Sequence, residues 1–202
     1  MDNLRSILEQ GGLWSDAQRR LRGVGCTNIA YQNIKDRRAL AAVPCGAGGS
    51  VADYVPFYFA PRSPMLFTIG RGNVPGYDRG EDPIVHLVTS TEAVVTAGLQ
   101  YAFTDGHSTM RFTEFFDDLA DLSKVDWDIM ETKYWRDTSD DNDRKRRRQA
   151  EFLVHEFCPW NIIEQIGVKT DAVCRQVTQI AQAVGHGPAV KLRRTGTTDE
   201  HD

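Results

Sequence analysis

Three prolines at positions 56, 61 and 64 restrict what the stretch from Val51 to Ile69 can become. The run reads VADYVPFYFAPRSPMLFTI and sets Pro56, Pro61 and Pro64 among Tyr54, Phe57, Tyr58, Phe59 and Phe67. Proline has no amide to give a strand ladder, so within sheets it is held to edges, first positions and bulges. A disordered linker would not concentrate so many aromatic side chains. Two readings remain. One is a rigid, irregular platform of aromatic faces carrying a cation, Arg62, which suits stacking on exposed bases. The other is a buried strand bounded by prolines.

A chain of 202 residues with net charge −4 has room for one sizeable domain, and we expect a single domain over 1–202 whose tail frays after about 188. No run reaches the roughly 18 apolar residues of a membrane span. The start, MDNLRSILEQ, lacks the apolar stretch of a secretory leader, so the expected compartment is the cytoplasm. Cys26, Cys45, Cys158 and Cys174 are scattered without a CxxC pair, and no metal site is expected. The negative sum argues against indiscriminate binding to nucleic acid but leaves room for a local basic site. Charge is segregated: DTSDDND at 137–143 is followed by RKRRR at 144–148, which reads as a solvated loop and helix start.

The apolar spacing of Leu4, Ile7 and Leu8 before Gly11-Gly12 predicts a short helix. Ser15 or Asp16 can cap a second one over Ala17–Arg22. Asn28–Leu40 reads as a weak helix or ordered loop, and CGAGGS, 45–50, as a flexible loop without the Gly-Lys-Ser/Thr of a phosphate loop. IVHLVT, 84–89, predicts a strand with a core histidine, followed by a helix capped by Ser90 or Thr91. Gln100–Phe103 predicts a strand that ends in the turn TDGHST. Phe112, Phe115, Phe116 and Leu119 fall at helical spacing. Glu151–Val154 opens another strand, a further strand lies around Ile166 and Val168, and Val173–Val184 carries a helical stripe. Short strands, short helices and long ordered loops together predict an α+β domain.

No GxGxxG follows a strand, and neither GxSxG nor HExxH occurs, so dinucleotide-fold, serine-hydrolase and zinc-protease chemistry lack motif support. Glu151 stands out between a basic run and the apolar Phe152-Leu153-Val154. A carboxylate at a strand start facing a cleft can bind a ribose hydroxyl and stabilise a cationic sugar transition state. Its plainer reading is a surface acid at a strand edge.

Five segments in one collinear order carry a resemblance: NIAYQNIKDRR, VADYVPFYFAPRSPM, PIVHLV, AGLQYAFTDGH and QAEFLVHEFCPW. Together they resemble the DarT family of DNA ADP-ribosyltransferase toxins, from about Asp2 to Val168. The resemblance implies an ADP-ribosyltransferase fold, a split, twisted β-core with NAD in its cleft. It implies transfer of ADP-ribose from NAD to a base in single-stranded DNA, typically thymine, and a partner antitoxin, DarG, with a macrodomain. Carried over residue by residue, the family's catalytic glutamate is Glu151 in AEFLV and its essential arginine is Arg38 in DRR, which also contacts NAD. Early NAD contacts fall on Ser6 and Trp14. His107 matches a histidine near the base-binding loop, and Tyr54, Arg62 and Met65 are the contacts implied on the DNA side.

The family pattern places a strand with a His-x-Thr motif ahead of Asp-Asn-Leu, where this sequence has Met1 before Asp2-Asn3-Leu4. Weaker NAD binding by the sequence as given is the expectation that follows. The rival to an NAD-dependent transferase is a catalytically impaired protein of the same fold that binds single-stranded nucleic acid through the aromatic run and the basic run. A metal-dependent nuclease using DTSDDND is the weakest alternative, because that spacing matches no ligand pattern.

Overall fold

The computed structural model describes residues 1–27, 29, 31–60, 63–182 and 187–193. The first part of the chain forms α1 (Leu4–Glu9), β1 (Gly12–Trp14), α2 (Asp16–Leu21), α3 (Gln32–Leu40), β2 (Tyr54–Tyr58) and α4 (Pro64–Gly70). The middle forms β3 (His86–Val88), α5 (Thr91–Thr96), β4 (Tyr101–Thr104), β5 (Phe115–Phe116) and α6 (Trp127–Glu131). The last part forms α7 (Arg144–Arg147), β6 (Glu151–His155), β7 (Phe157–Pro159), β8 (Gln165–Val168), α8 (Asp171–Gln182) and β9 (Ala189–Leu192). The strands make three small sheets, ordered β2-β6-β4-β5, β1-β7 and β3-β8-β9. All pairings are antiparallel except β8 with β9. This is the α+β architecture the segment pattern predicts.

The sheet that matters for function is built around β6. It has β2 on one side, with Tyr58 opposite Glu151, and β4 on the other, with Phe103 opposite Phe152. Flanked on both sides, β6 reads as an apolar run, and Phe152, Leu153 and Val154 are all buried. Phe103, Phe152 and Val154 join Leu4 and Leu8 of α1 and Val177 of α8 in the main core. The stripe on α8 is therefore there to cover the strands, as its helical spacing requires.

The proline-rich run resolves into a strand and a helix, not an irregular platform. Pro56 sits in β2, an edge strand of its sheet, where a missing amide costs no ladder bond. Pro64 takes the first turn of α4 behind Ser63, whose hydroxyl accepts from the Leu66 amide at 3.2 Å. Pro56 and Pro64 are thus each in one of the few places a regular element tolerates proline, and Pro61 lies outside the described residues.

Three further expectations are corrected. Phe112–Leu122 does not form an α-helix: Phe115 and Phe116 pair with Thr104 and Phe103 in a hairpin, and a 3₁₀ turn follows at Leu119–Lys124. Its helical spacing is the trace of Phe116 stacking on Phe103 at 5.3 Å between centroids, while Phe112 points outward. The chain does not fray directly after Pro188, because β9 runs parallel to β8 with Val190 opposite Ile166. The basic run is not a free solvated face. Arg146 grips both carboxylate oxygens of Asp143 at 2.7 Å, Arg147 pairs with Asp126 and Asp141, and Arg148 is buried with its guanidinium on the carbonyls of Ile129 and Met130.

The CGAGGS loop is braced as well. Ala42 bridges Ser50, and the Gly46 amide donates to Asp117 Oδ2 at 2.7 Å. Gly46 lies at φ 58°, and a Cβ there would stand 2.6 Å from the Tyr101 carbonyl oxygen. Gly46→Ala should therefore destabilise the protein by about 2 kcal/mol or more, from left-handed backbone strain plus displacement of β4. A lower urea midpoint at unchanged slope checks this, and an unchanged midpoint would contradict it.

Candidate active site

Glu151 is only 1% exposed, although it is charged and opens a strand. Its position follows from the turn before it: Arg148 caps the end of α7, and Ala150 is buried against the core. The backbone amide of Glu151 donates to Thr104 Oγ1 at 3.0 Å, and that hydroxyl donates to the Gly106 carbonyl at 2.7 Å. One buried threonine thus joins the head of β6 to the loop that follows β4. The side chain turns to the same face as Tyr58, its directly opposite neighbour on β2.

A buried carboxylate needs a counter-charge. Arg38, in the last turn of α3, provides it: Nη1 donates to Oε2 at 2.8 Å and to Oε1 at 3.1 Å. Ser108 closes the triangle, accepting from Arg38 Nη1 and donating to Glu151 Oε2, both at 3.2 Å. α3 is held in place by the segment behind it, where the Val51 amide donates to the Ala41 carbonyl at 2.8 Å and Lys35 pairs with Asp16 at 3.1 Å. Arg38 Nη2 is buried and has no hydrogen-bond partner among the described residues. An unmet charged donor beside a carboxylate fits a group that takes an acceptor from outside.

Two further groups feel this pair. Burial, and then the Glu151 carboxylate, push the Tyr58 hydroxyl well above the ordinary tyrosine range, with Arg38 opposing. His107 lies half-buried on the loop, and its Nδ1 accepts from the Thr109 amide at 3.2 Å. That bond places the ring proton on Nε2. Burial lowers the His107 pKa; Glu151 opposes this, while Arg38 and Arg37 add to it.

The residues expected from the sequence divide into groups. Glu151, Arg38 and His107 come together at one place. Ser6 lies on α1, half-buried. Trp14 ends β1, where its ring meets Phe157 at 4.2 Å and the Arg22 guanidinium at 3.7 Å. Its indole Nε1 is buried without a partner among the described residues, so it too is a donor able to take an acceptor. Neither Ser6 nor Trp14 hydrogen-bonds the Arg38–Glu151 pair among the described residues. Tyr54 is corrected as a DNA contact: it is 1% exposed, and its hydroxyl donates to the Gly48 carbonyl at 2.9 Å. Met65 packs on α4 beside Ile69, Val74 and Tyr77. Arg62 lies outside the described residues.

Sequence reading missed Ser108, Thr104 and Tyr58 as members of the site. Ser108 could have been found, since it adjoins His107. Tyr58 could not, because its place depends on the register of β2 against β6, and nothing local sets that.

With this geometry established, the chain is similar to known proteins along its length. A family model described as "DarT: ssDNA thymidine ADP-ribosyltransferase, DarT" matches residues 1–197. A DNA ADP-ribosyl transferase of Thermus sp. (strain 2.9) is 42% identical over 89% of this chain and 83% of its own length. One from Escherichia coli O127:H6 is 36% identical over 75% of this chain and 70% of its own length. The solved structure of Thermus sp. 2.9 DarT in complex with ADP-ribosylated ssDNA superimposes with a TM-score of 0.89, at 39% identity, covering 96% of this chain and 90% of that one. The same Thermus protein in complex with NAD+ gives 0.85 at 37% identity, covering 96% and 91%.

The environment of His107 has a direct consequence. Folding favours its neutral form, so the stability it contributes is present above 6.5, the ordinary value, and is lost as the pH falls below it. An NMR titration of the ring should give a midpoint below 6.5. A midpoint at or above that value would mean that Glu151 outweighs burial and the two arginines.

Proposed function

The chain belongs to the DarT family of ssDNA thymidine ADP-ribosyltransferases, and from that premise we propose that it transfers ADP-ribose from NAD to thymine in single-stranded DNA, with Glu151 and Arg38 as its catalytic pair. The observation that carries the reading is the buried Arg38–Glu151 pair with one guanidinium nitrogen unpartnered among the described residues. That nitrogen lies beside the carboxylate and can donate to an acceptor on a bound substrate.

In the proposed step the bond between the nicotinamide nitrogen and the ribose carbon breaks, and nicotinamide leaves with the electron pair. Positive charge develops on the ribose. Glu151 accepts a hydrogen bond from a hydroxyl of that ribose and stabilises the charge. The thymine nitrogen that carries the Watson–Crick proton forms the new bond to the ribose carbon and loses that proton to solvent. Arg38 remains protonated throughout, since guanidinium does not deprotonate in proteins. It stabilises the thymine anion and binds NAD. Ser6 and Trp14 are the further NAD contacts of this reading, with the unpartnered indole Nε1 of Trp14 in its support. His107 faces the acceptor base.

Family membership also supports a macrodomain antitoxin of the DarG type as partner, and a cytoplasmic site of action, where DNA and NAD meet. No helix among the described residues is long and apolar enough to cross a membrane. A catalytically impaired nucleic-acid binder of the same fold is the weaker reading, because the Arg38–Glu151–Ser108 triangle is intact.

The protein incubated with NAD and a thymine-containing single strand should add the mass of one ADP-ribose. Glu151→Ala should lower the rate on the order of a hundredfold or more, measured below a melting transition that is itself lowered because Arg38 loses its counter-charge. Transfer at an unchanged rate would remove Glu151 from the mechanism.

The same strand annealed to its complement should react poorly, because pairing hides the reacting nitrogen and a flipped base costs unstacking energy. Equal rates on both forms, measured by mass spectrometry, would contradict the single-strand reading.

A further inference from the structure

β4 and β5 form a hairpin whose loop, 105–114, faces two ways. Its inner side carries Ser108, which bonds Arg38 and Glu151. Its tip carries Met110, Arg111 and Phe112, all exposed; Phe112 is 80% exposed, a large value for an aromatic ring. Exposed rings scattered singly need no explanation. This one differs in its frame and its neighbours.

The frame is rigid. The Asp105 amide donates to the Glu114 carbonyl at 3.3 Å, and the Glu114 amide returns to Asp105 Oδ1 at 2.9 Å. Within the loop the amide of Met110 bonds the His107 carbonyl and that of Thr113 bonds the Met110 carbonyl, at 2.9 and 3.1 Å. The hydroxyl of Thr113 donates to the His107 carbonyl at 2.8 Å. From outside, Arg146 holds Asp105 at 2.9 Å, and its carbonyl accepts from the His107 amide at 3.0 Å. Phe112 is therefore held out in water by a loop with little freedom to fold it inward.

The neighbours are cationic. The Arg111 guanidinium lies 6.0 Å from the Phe112 ring centre. Arg37, exposed on α3, donates to the Thr109 carbonyl at 3.0 Å and reaches Met110 Sδ at 3.9 Å. Arg37 is also the residue directly before catalytic Arg38. An exposed ring beside Arg111, on a loop that Arg37 also holds and whose inner side bonds the Arg38–Glu151 pair, matches the combination that grips single strands: a π face for a base and cations for its phosphates.

We propose that the tip of this loop is the binding site for the nucleotide next to the modified thymine, with that base stacked on Phe112 and its phosphates met by Arg37 and Arg111. This rests on the reading of the protein as a transferase acting on single-stranded DNA, and it assigns the loop tip as the element that holds the flanking nucleotide.

Equilibrium binding of a fluorescent thymine-containing single strand, followed by anisotropy without NAD, tests the site apart from catalysis. Phe112→Ala should weaken binding about tenfold, and Phe112→Tyr should bind as the parent does, since each base–aromatic stack is worth on the order of five- to a hundredfold. An abasic position scanned along the strand should locate one neighbour of the thymine at which the parent loses the same factor and the alanine variant loses nothing more. Binding by Phe112→Ala within about twofold of the parent, or equal losses for both proteins at every abasic position, would overturn the site. A parent that binds the strand but transfers no ADP-ribose would instead overturn the catalytic reading, and the binding comparison would still decide the role of Phe112.

Discussion

Removing a carboxylate from water costs several kcal/mol unless the surroundings return it, and Glu151 is placed where water cannot. Its strand is flanked on both sides, its amide is fixed by Thr104, and its charge is met by an arginine 113 residues earlier in the chain. Removing Arg38 would leave that charge unpaired, at a cost on the order of 3–5 kcal/mol. The pair is therefore a constraint on the fold as well as a tool for chemistry. α3, the β4–β5 loop and β6 must all arrive for either charge to be tolerated. Well-packed apolar side chains could replace such a pair without loss of stability. Its presence is better explained by what the unpartnered Arg38 nitrogen and the enclosed carboxylate can do to a substrate than by what they do for the fold.

A second set of charges supports the first without taking part in it. Asp105, Asp126, Asp141 and Asp143 take up Arg146 and Arg147, and Arg148 is buried on the end of α6. This network clamps the segment ahead of Glu151 to the loop that carries His107 and Ser108. Gly106 is part of the clamp, because a Cβ there would stand 2.4 Å from the Arg146 guanidinium. The two systems differ in one respect. The network around Arg146 and Arg147 meets its donors from within, whereas Arg38 keeps one donor unmet.

Much of the local structure was legible because its causes are local. Ser15 and Ser90 cap the helices that follow them, each accepting an amide three residues on, as their side-chain chemistry requires. The apolar spacing of α8 and the β-branched run of β3 gave their element types directly. Readings failed where a distant partner decided the outcome. Phe115 and Phe116 look helical until β4 pairs with them. RKRRR looks solvated until the acids at 105, 126 and 141 fold back on it. Tyr54 looks like a surface aromatic until the loop ending at Ser50 supplies a carbonyl for its hydroxyl. Resemblance named Glu151, Arg38 and His107, Glu151 standing out from its own sequence setting as well, and the fold brings the three together. Tyr58 enters the site only through tertiary placement.

The internal use of the arginines also bears on how the protein holds DNA. Its net charge is −4, and the densest basic run is neutralised by neighbouring acids. Long-range attraction to phosphate is correspondingly weak. A strand held under those conditions must be held by stacking and by close contacts near the reacting base, not by a broad basic surface. Duplex DNA offers no exposed base face to stack on. Selectivity for single strands is then a consequence of where the charge lies as much as of the depth of the catalytic site.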